Sequence, residues 1–152
     1  MTTGRVDFLV DTNVLIYAYD AADPGKRRRA LDLLNRLQGT RRGCLSVQVL
    51  SEFYTNVTRK PLFPLTSDQA RDSSIRYVRS WHVLDITDRT FLDAVQAVQS
   101  HRMAYWDALI WATAVQHGVG NVLTEDQQDG RLIGSIRYID PFSPDFDLSR
   151  LD

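Results

Sequence analysis

Between Val6 and Ile16 the chain reads Val-Asp-Phe-Leu-Val-Asp-Thr-Asn-Val-Leu-Ile, and no other stretch restricts the fold as much. The apolar run Val6–Val10, interrupted at Asp7, predicts a buried strand. It stops at a carboxylate and two small polar side chains, Asp11, Thr12 and Asn13. Val14–Tyr17 then resumes the apolar character with no Gly or Pro between them. A strand handed directly to a helix is a junction of an open α/β sheet, and such sheets bind ligands outside the carboxyl ends of their strands. Asp11 is therefore either a site residue at that edge or a plain N-cap, a position Asp favours. Only the other acids of the chain can separate these readings.

Strand and helix signals alternate along the remainder. Asp23-Pro24 predicts a helix start, with Ala30, Leu31, Leu34 and Leu37 as its apolar face and Gly39 at its end. Cys44–Val47 predicts a second strand. Ser46 would cap the next helix, which carries Val49, Leu50, Phe53 and Val57 at helical spacing. Pro61 and Pro64 break that pattern, and Thr66-Ser67-Asp68 restarts a helix towards Val78. His82–Leu84 predicts a third strand. The helix capped near Thr87-Asp88 would bury Phe91, Ala94, Val95 and Val98. Asp107–Val115 has almost no polar face, which predicts a helix buried centrally. Asn121–Thr124 and Ile136–Ile139 complete a five-stranded, parallel sheet with helices on both faces. One domain is expected over 1–152, its core about 6–142, with an aperiodic tail (143–152) lying over the surface.

Bulk properties narrow the setting. No apolar run approaches the roughly 20 residues of a membrane span, and Met1–Arg5 leads straight into the first strand, with no room for a signal peptide. The lone Cys44 excludes an internal disulfide framework and suits a reducing compartment, so the cytoplasm is the expected location. A net charge of −1 does not advertise nucleic-acid binding. Acids clustered in one place would nevertheless mask basic side chains elsewhere, such as Lys26–Arg29, Arg41-Arg42 and Arg59-Lys60, which otherwise read as solvated faces.

Four acids share one sheet edge in this arrangement. Asp11 follows the first strand and Asp126 the fourth. Glu52 lies in the helix after the second strand, roughly 130° from the middle of its apolar arc, so it is not a core position. Asp107 opens the helix that returns antiparallel to the fourth strand, and so starts where that strand ends. Singly, each has an ordinary explanation as a cap, first-turn or turn acid. Together they would repel one another and share protons unless a cation joined them. Hard oxygen donors select Mg²⁺ or Mn²⁺, which activates water and stabilises charge on phosphoryl oxygen. The expected chemistry is phosphodiester hydrolysis by Asp11, Glu52, Asp107 and Asp126, all four also metal ligands, with Thr12, Asn13 and Thr124 supporting. Glu125 and Asp129 read as solvated turn acids, Asp129 being an outside candidate for the site.

Leu9–Leu15, Ser51-Glu52-Phe53, Trp106–Ala114 and Leu123–Asp126 together resemble PIN-domain ribonucleases, and within them VapC-type toxins of toxin–antitoxin pairs. The resemblance runs from about Val6 to Pro141. It implies an α/β/α sandwich, Mg²⁺ or Mn²⁺ in the acidic site, single-stranded or loop RNA as substrate, and a small antitoxin as partner. Asp11, Glu52, Asp107 and Asp126 match the family's acidic quartet. Ala104 departs from the small hydroxyl residue expected in many relatives, which puts one outer contact in doubt.

Competing classes lack their own residues. A phosphatase using a strand-one Asp would want a second acid at position 13, which is Asn; a phosphorelay receiver would want a Lys after the last strand, and none follows Lys60. His82, His101 and His117 lack zinc-ligand spacing. A PIN-like module that binds RNA or protein with little activity stays open. Val47, Phe53, Tyr54, Leu62 and Phe63 cannot all face one sheet, so an apolar groove beside Glu52 is expected, to be covered by the antitoxin or by a second copy in a homodimer.

Overall fold

The computed structural model describes residues 5–59 and 65–152. The expected Pro61 and Pro64 breaks, and Leu62 and Phe63, lie outside them. Elements follow in the order β1 (Phe8–Val10), α1 (Thr12–Tyr17), α2 (Pro24–Thr40), β2 (Gly43–Ser46), α3 (Val47–Arg59), α4 (Ser67–Ser80), β3 (His82–Leu84), α5 (Asp88–His101), α6 (Tyr105–Gln116), β4 (Asn121–Leu123), β5 (Leu132–Ile133), β6 (Ile136–Ile139) and a 3₁₀ turn, Leu148–Leu151. The sheet order is β3-β2-β1-β4-β6-β5, with every pairing parallel except β5 with β6. The five expected parallel strands are present; β5 adds a sixth, a two-residue antiparallel edge too short to carry a sequence pattern. Asp7 lies before β1, its carboxylate paired with Arg42 at 2.9 Å.

Alternation along the strands divides the core between two faces. Phe8 and Val10 pack with α1–α4, whereas Leu9 packs with α5 and α6. β6 repeats this, Ile139 on the first face and Ile136 and Tyr138 on the second. Helix starts carry the caps read from sequence: Asp23 accepts from Lys26 N–H at 3.1 Å, Ser46 from Val49 N–H at 3.2 Å, and Thr66 and Thr87 form capping boxes. Val49, Phe53 and Val57 are buried as expected.

Three expectations are corrected. On α2 the buried side chains are Ala30, Leu33, Leu34 and Leu37, and Leu31 is exposed. On α5 the buried side chains are Thr90, Ala94 and Ala97, while Phe91 and Val95 are exposed. This helix lies along α6, which is itself rich in alanine, and close approach of two backbones favours the smallest side chains over the most apolar ones. The C-terminal tail is not merely draped over the surface: Phe146 and Leu151 are buried in the α1–α4 core. Arg42 donates to Leu151 O at 2.8 Å and Arg29 to Phe146 O at 3.1 Å, so two cations fasten the tail's backbone. Leu151→Ala should therefore destabilise the protein by about 2 kcal/mol in urea unfolding, against no more than about 0.5 kcal/mol for the exposed Ser149→Ala. Equal effects of the two would place the tail back in solvent.

Candidate active site

The order of strands changes direction at β1 and β4, and Asp11 stands at the carboxyl end of this seam. Its N–H donates to Leu123 O at 2.9 Å, extending the pairing by one residue. One carboxylate oxygen accepts from Thr12 N–H at 2.7 Å, so Asp11 does cap α1. The other accepts from the Thr124 hydroxyl at 2.8 Å. The cap and site readings are thus compatible: a single carboxylate does the first with one oxygen and faces the seam with the other.

Thr12 and Asn13 connect Asp11 to two further acids. The Thr12 hydroxyl donates to Glu52 Oε2 at 2.9 Å, and Gln48, one turn earlier on α3, donates to Glu52 Oε1 at 2.9 Å and to Trp106 O at 3.0 Å. The Asn13 amide donates to Thr124 Oγ1 at 3.0 Å and to Asp126 Oδ2 at 3.2 Å. Thr124 also accepts from Asp126 N–H at 3.1 Å. With one bond donated and two accepted, its hydroxyl is saturated. Asn13 Oδ1 is buried with no protein partner, and the acceptors around the Nδ2 group fix that orientation.

Asp107 arrives differently. It is the third residue of α6, whose N-cap Ala104 makes no side-chain cap bond, so neither residue caps the helix. It shares a small cavity with Asp11, Thr124, Gln127 and Tyr138. Burial first, and then the charges of Asp126 and Glu52, raise the Asp107 pKa. Burial likewise pushes Asp11 up to about 7, with Asp126 and Glu52 adding to it and the Thr124 and Thr12 bonds opposing. Each of these two acids feels the same other pair, which is the electrostatic signature of one cluster.

The donor set is oxygen throughout and fits a hard divalent cation. No three His, Cys, Asp or Glu side chains among the described residues close around one point. Mg²⁺ does not require that, since it is commonly held by one or two carboxylates and keeps several waters. Asp11 and Asp107 would hold it most directly, with Glu52 and Asp126 neutralised around it.

The neighbouring acids are engaged elsewhere. Glu125 is no solvated turn residue: it accepts from Tyr17 O–H at 2.5 Å and pairs with Lys26 at 2.9 Å. Asp129 accepts from Asp140 N–H at 3.0 Å and faces Arg150 at 3.6 Å, away from the seam. Gln48, Gln127 and Tyr138 escaped the sequence reading. Gln48 was within reach of it, one helical turn from Glu52; nothing in the sequence marks the other two.

Comparison with known proteins bears on the fold. The sequence matches the PIN domain family over residues 8–131, whereas no curated protein matches it. Among solved structures, a toxin–antitoxin complex from Klebsiella pneumoniae superposes with a TM-score of 0.66 at 20% identity, covering 90% of this chain and 98% of that one. DNA-bound VapBC from Salmonella typhimurium gives 0.63 at 20% identity, with 90% and 98% covered. VapC20 of Mycobacterium tuberculosis, a sarcin-ricin loop cleaving toxin, gives 0.59 at 20% identity over 76% and 87%. At such identity the structures speak for the fold, and the family match covers most of the sequence: the chain belongs to the PIN-domain family.

Proposed function

We propose that this protein is a divalent-metal-dependent endoribonuclease of the VapC type, acting in the cytoplasm as the toxin of a toxin–antitoxin pair. The observation that carries the reading is the pair Asp11 and Asp107 on one cavity at the β1–β4 seam, both disfavoured as anions first by burial and then by the charges of Asp126 and Glu52. A bound Mg²⁺ or Mn²⁺ would relieve this repulsion, lower the pKa of an attacking water and stabilise charge on a phosphoryl oxygen. Thr124 and Thr12 hold the Asp11 carboxylate in one orientation. Thr12 and Gln48 fix Glu52, and Asn13 fixes Asp126. The chain thus sets three of its four acids before RNA arrives.

A partner site lies next to this edge. Val47, Ile86, Trp106 and Leu109 line a groove of about 590 Å³ that runs to Glu52. It differs in composition from the sequence expectation, because Phe53 is fully buried against Tyr19 and Tyr77. Val47 and Trp106 are exposed there. We assign the groove to an apolar segment of a small antitoxin, whose Arg could reach the carboxylates in a charge-assisted pair. The toxin–antitoxin complexes of similar fold support that choice. A second copy is the other proposed partner, with exposed Phe91, Leu92 and Val95 on α5 available to it.

Chelation should abolish cleavage of single-stranded RNA, and added Mg²⁺ or Mn²⁺ should restore it; full activity in excess chelator would remove the acidic site from the mechanism. Asp11→Asn and Asp107→Asn should each lose more than the roughly 100-fold expected of a residue standing behind a ligand.

Stability should move the other way. The Asp11 pKa is raised in the folded state to about 7 from 3.8, so the native state binds its proton more tightly than the unfolded chain. The associated stabilisation is complete below pH 4 and is lost as pH rises towards and through 7. In chelator, Asp11→Asn should be more stable than the parent at pH 8, by on the order of 2 kcal/mol, and the difference should vanish near pH 4. A large loss at pH 8 would make the cap the dominant role.

Expression alone should arrest growth, and the product of an adjacent antitoxin reading frame should relieve it. Asp11→Asn should be harmless. Val47→Glu should still arrest growth but escape relief; relief at parental level would put the antitoxin on another surface, and elution of the lone protein as a dimer that Val47→Glu dissociates would assign the groove to a second copy.

A further inference from the structure

Tyr138 is 2% exposed, and its hydroxyl is buried without a protein hydrogen-bond partner. Buried polar groups are rarely left so, since the desolvation cost is then uncompensated. It comes from β6, on the sheet face covered by α6. Beside it is the small cavity lined also by Asp11, Asp107, Thr124 and Gln127, with a volume of about 10 Å³. That is the space one water occupies, and a buried water needs two to four polar neighbours, which these side chains supply.

Asp107 is the acid with most to gain from such a neighbour. Thr124 holds Asp11, Thr12 and Gln48 hold Glu52, and Asn13 holds Asp126. None of the described residues donates a hydrogen bond to Asp107, which is positioned only by its place on α6. Tyr138 lies close enough for the charges of Asp107 and Asp11 to act on its phenol. Among the described residues lining the cavity, the Tyr138 O–H is the fully buried donor left without an acceptor, and Asp107 is an acceptor without a donor.

We propose that Tyr138 is a positioning residue of the acidic site, its hydroxyl anchoring a single water through which the Asp107 carboxylate is oriented. The inference rests on the metal-dependent reading of the site and names a residue outside the quartet that this reading requires. Gln127 also lines the cavity, and its amide can complete the water's hydrogen bonds.

The test is Tyr138→Phe, which deletes one oxygen and keeps the ring. Calorimetric titration of the RNA-free protein with Mn²⁺ alone should show affinity reduced about tenfold, as for other residues that orient a metal ligand. Melting in chelator, where no metal is needed, should show the variant a few degrees below the parent, because a satisfied hydrogen bond is lost. A variant that melts higher than the parent means the hydroxyl was bonded to nothing, and overturns the proposal. Lower melting with unchanged Mn²⁺ affinity makes Tyr138 a core residue alone, and also overturns it. Failure of the parent itself to bind Mn²⁺ would overturn the metal reading of the site and the positioning role with it, a result distinct from a defect confined to the variant.

Discussion

A carboxylate held out of water at the end of a buried strand is the constraint around which this molecule is arranged. Asp11 is 6% exposed, and its ionised form is disfavoured by burial before any neighbour is counted. Two short hydrogen bonds, from Thr12 N–H and the Thr124 hydroxyl, partly offset that cost. Both depend on the β1–β4 pairing: Val10 opposite Leu123 puts Asp11 and Thr124 side by side. A slip of one residue in this register would turn every side chain of β1 to the other face of the sheet and separate the two. The hydrophobic division of β1, with Phe8 and Val10 to one side and Leu9 to the other, therefore protects the site as well as the core.

Three consecutive residues distribute this order to the rest of the edge. Asp11 occupies the seam, Thr12 reaches α3 through Glu52, and Asn13 reaches the loop after β4 through Thr124 and Asp126. Because α1 begins at Thr12, its first turn sends these side chains in different directions about the helix axis. A longer linker between β1 and α1 would loosen all three connections at once. Asp107 stands outside this scheme. It is delivered by a helix apolar on nearly every side, whose burial fixes the backbone firmly while leaving the carboxylate's own rotamer to its surroundings.

The same logic decides what was legible in the sequence. Strand ends, caps and the places of Asp11 and Asp126 just after β1 and β4 follow from local patterns, and they were readable because each rests on a period or on one residue's chemistry. The face of α5 was not, since hydrophobicity alone ranks Phe91 and Val95 above Thr90 and Ala97, whereas packing against α6 selects for size. The tail was misjudged because Phe146 and Leu151 enter the core from turns that carry no period. Tyr138 was invisible for a related reason: alternation along β6 says only that it points inward, and its significance lies in which groups from β1 and α6 meet it there. Glu125 reads locally as a solvated acid because its partners, Tyr17 and Lys26, are about a hundred residues away.

That last pair bears on how much negative charge the β1–β4 seam carries. Glu125 and Asp126 are adjacent, yet Asp126 turns to Asn13 while Glu125 turns to Lys26 and Tyr17. A further carboxylate over the seam would raise the pKa values of Asp11 and Asp107 still more. Lys26 prevents this. Its ammonium lies 2.9 Å from Glu125 and 4.6 Å from the centre of the Tyr17 ring, which itself packs edge-on against Phe142. Lys26, near the start of α2, thus holds Glu125 apart from Asp126. Arg29 and Arg42 are likewise committed to the tail's backbone carbonyls.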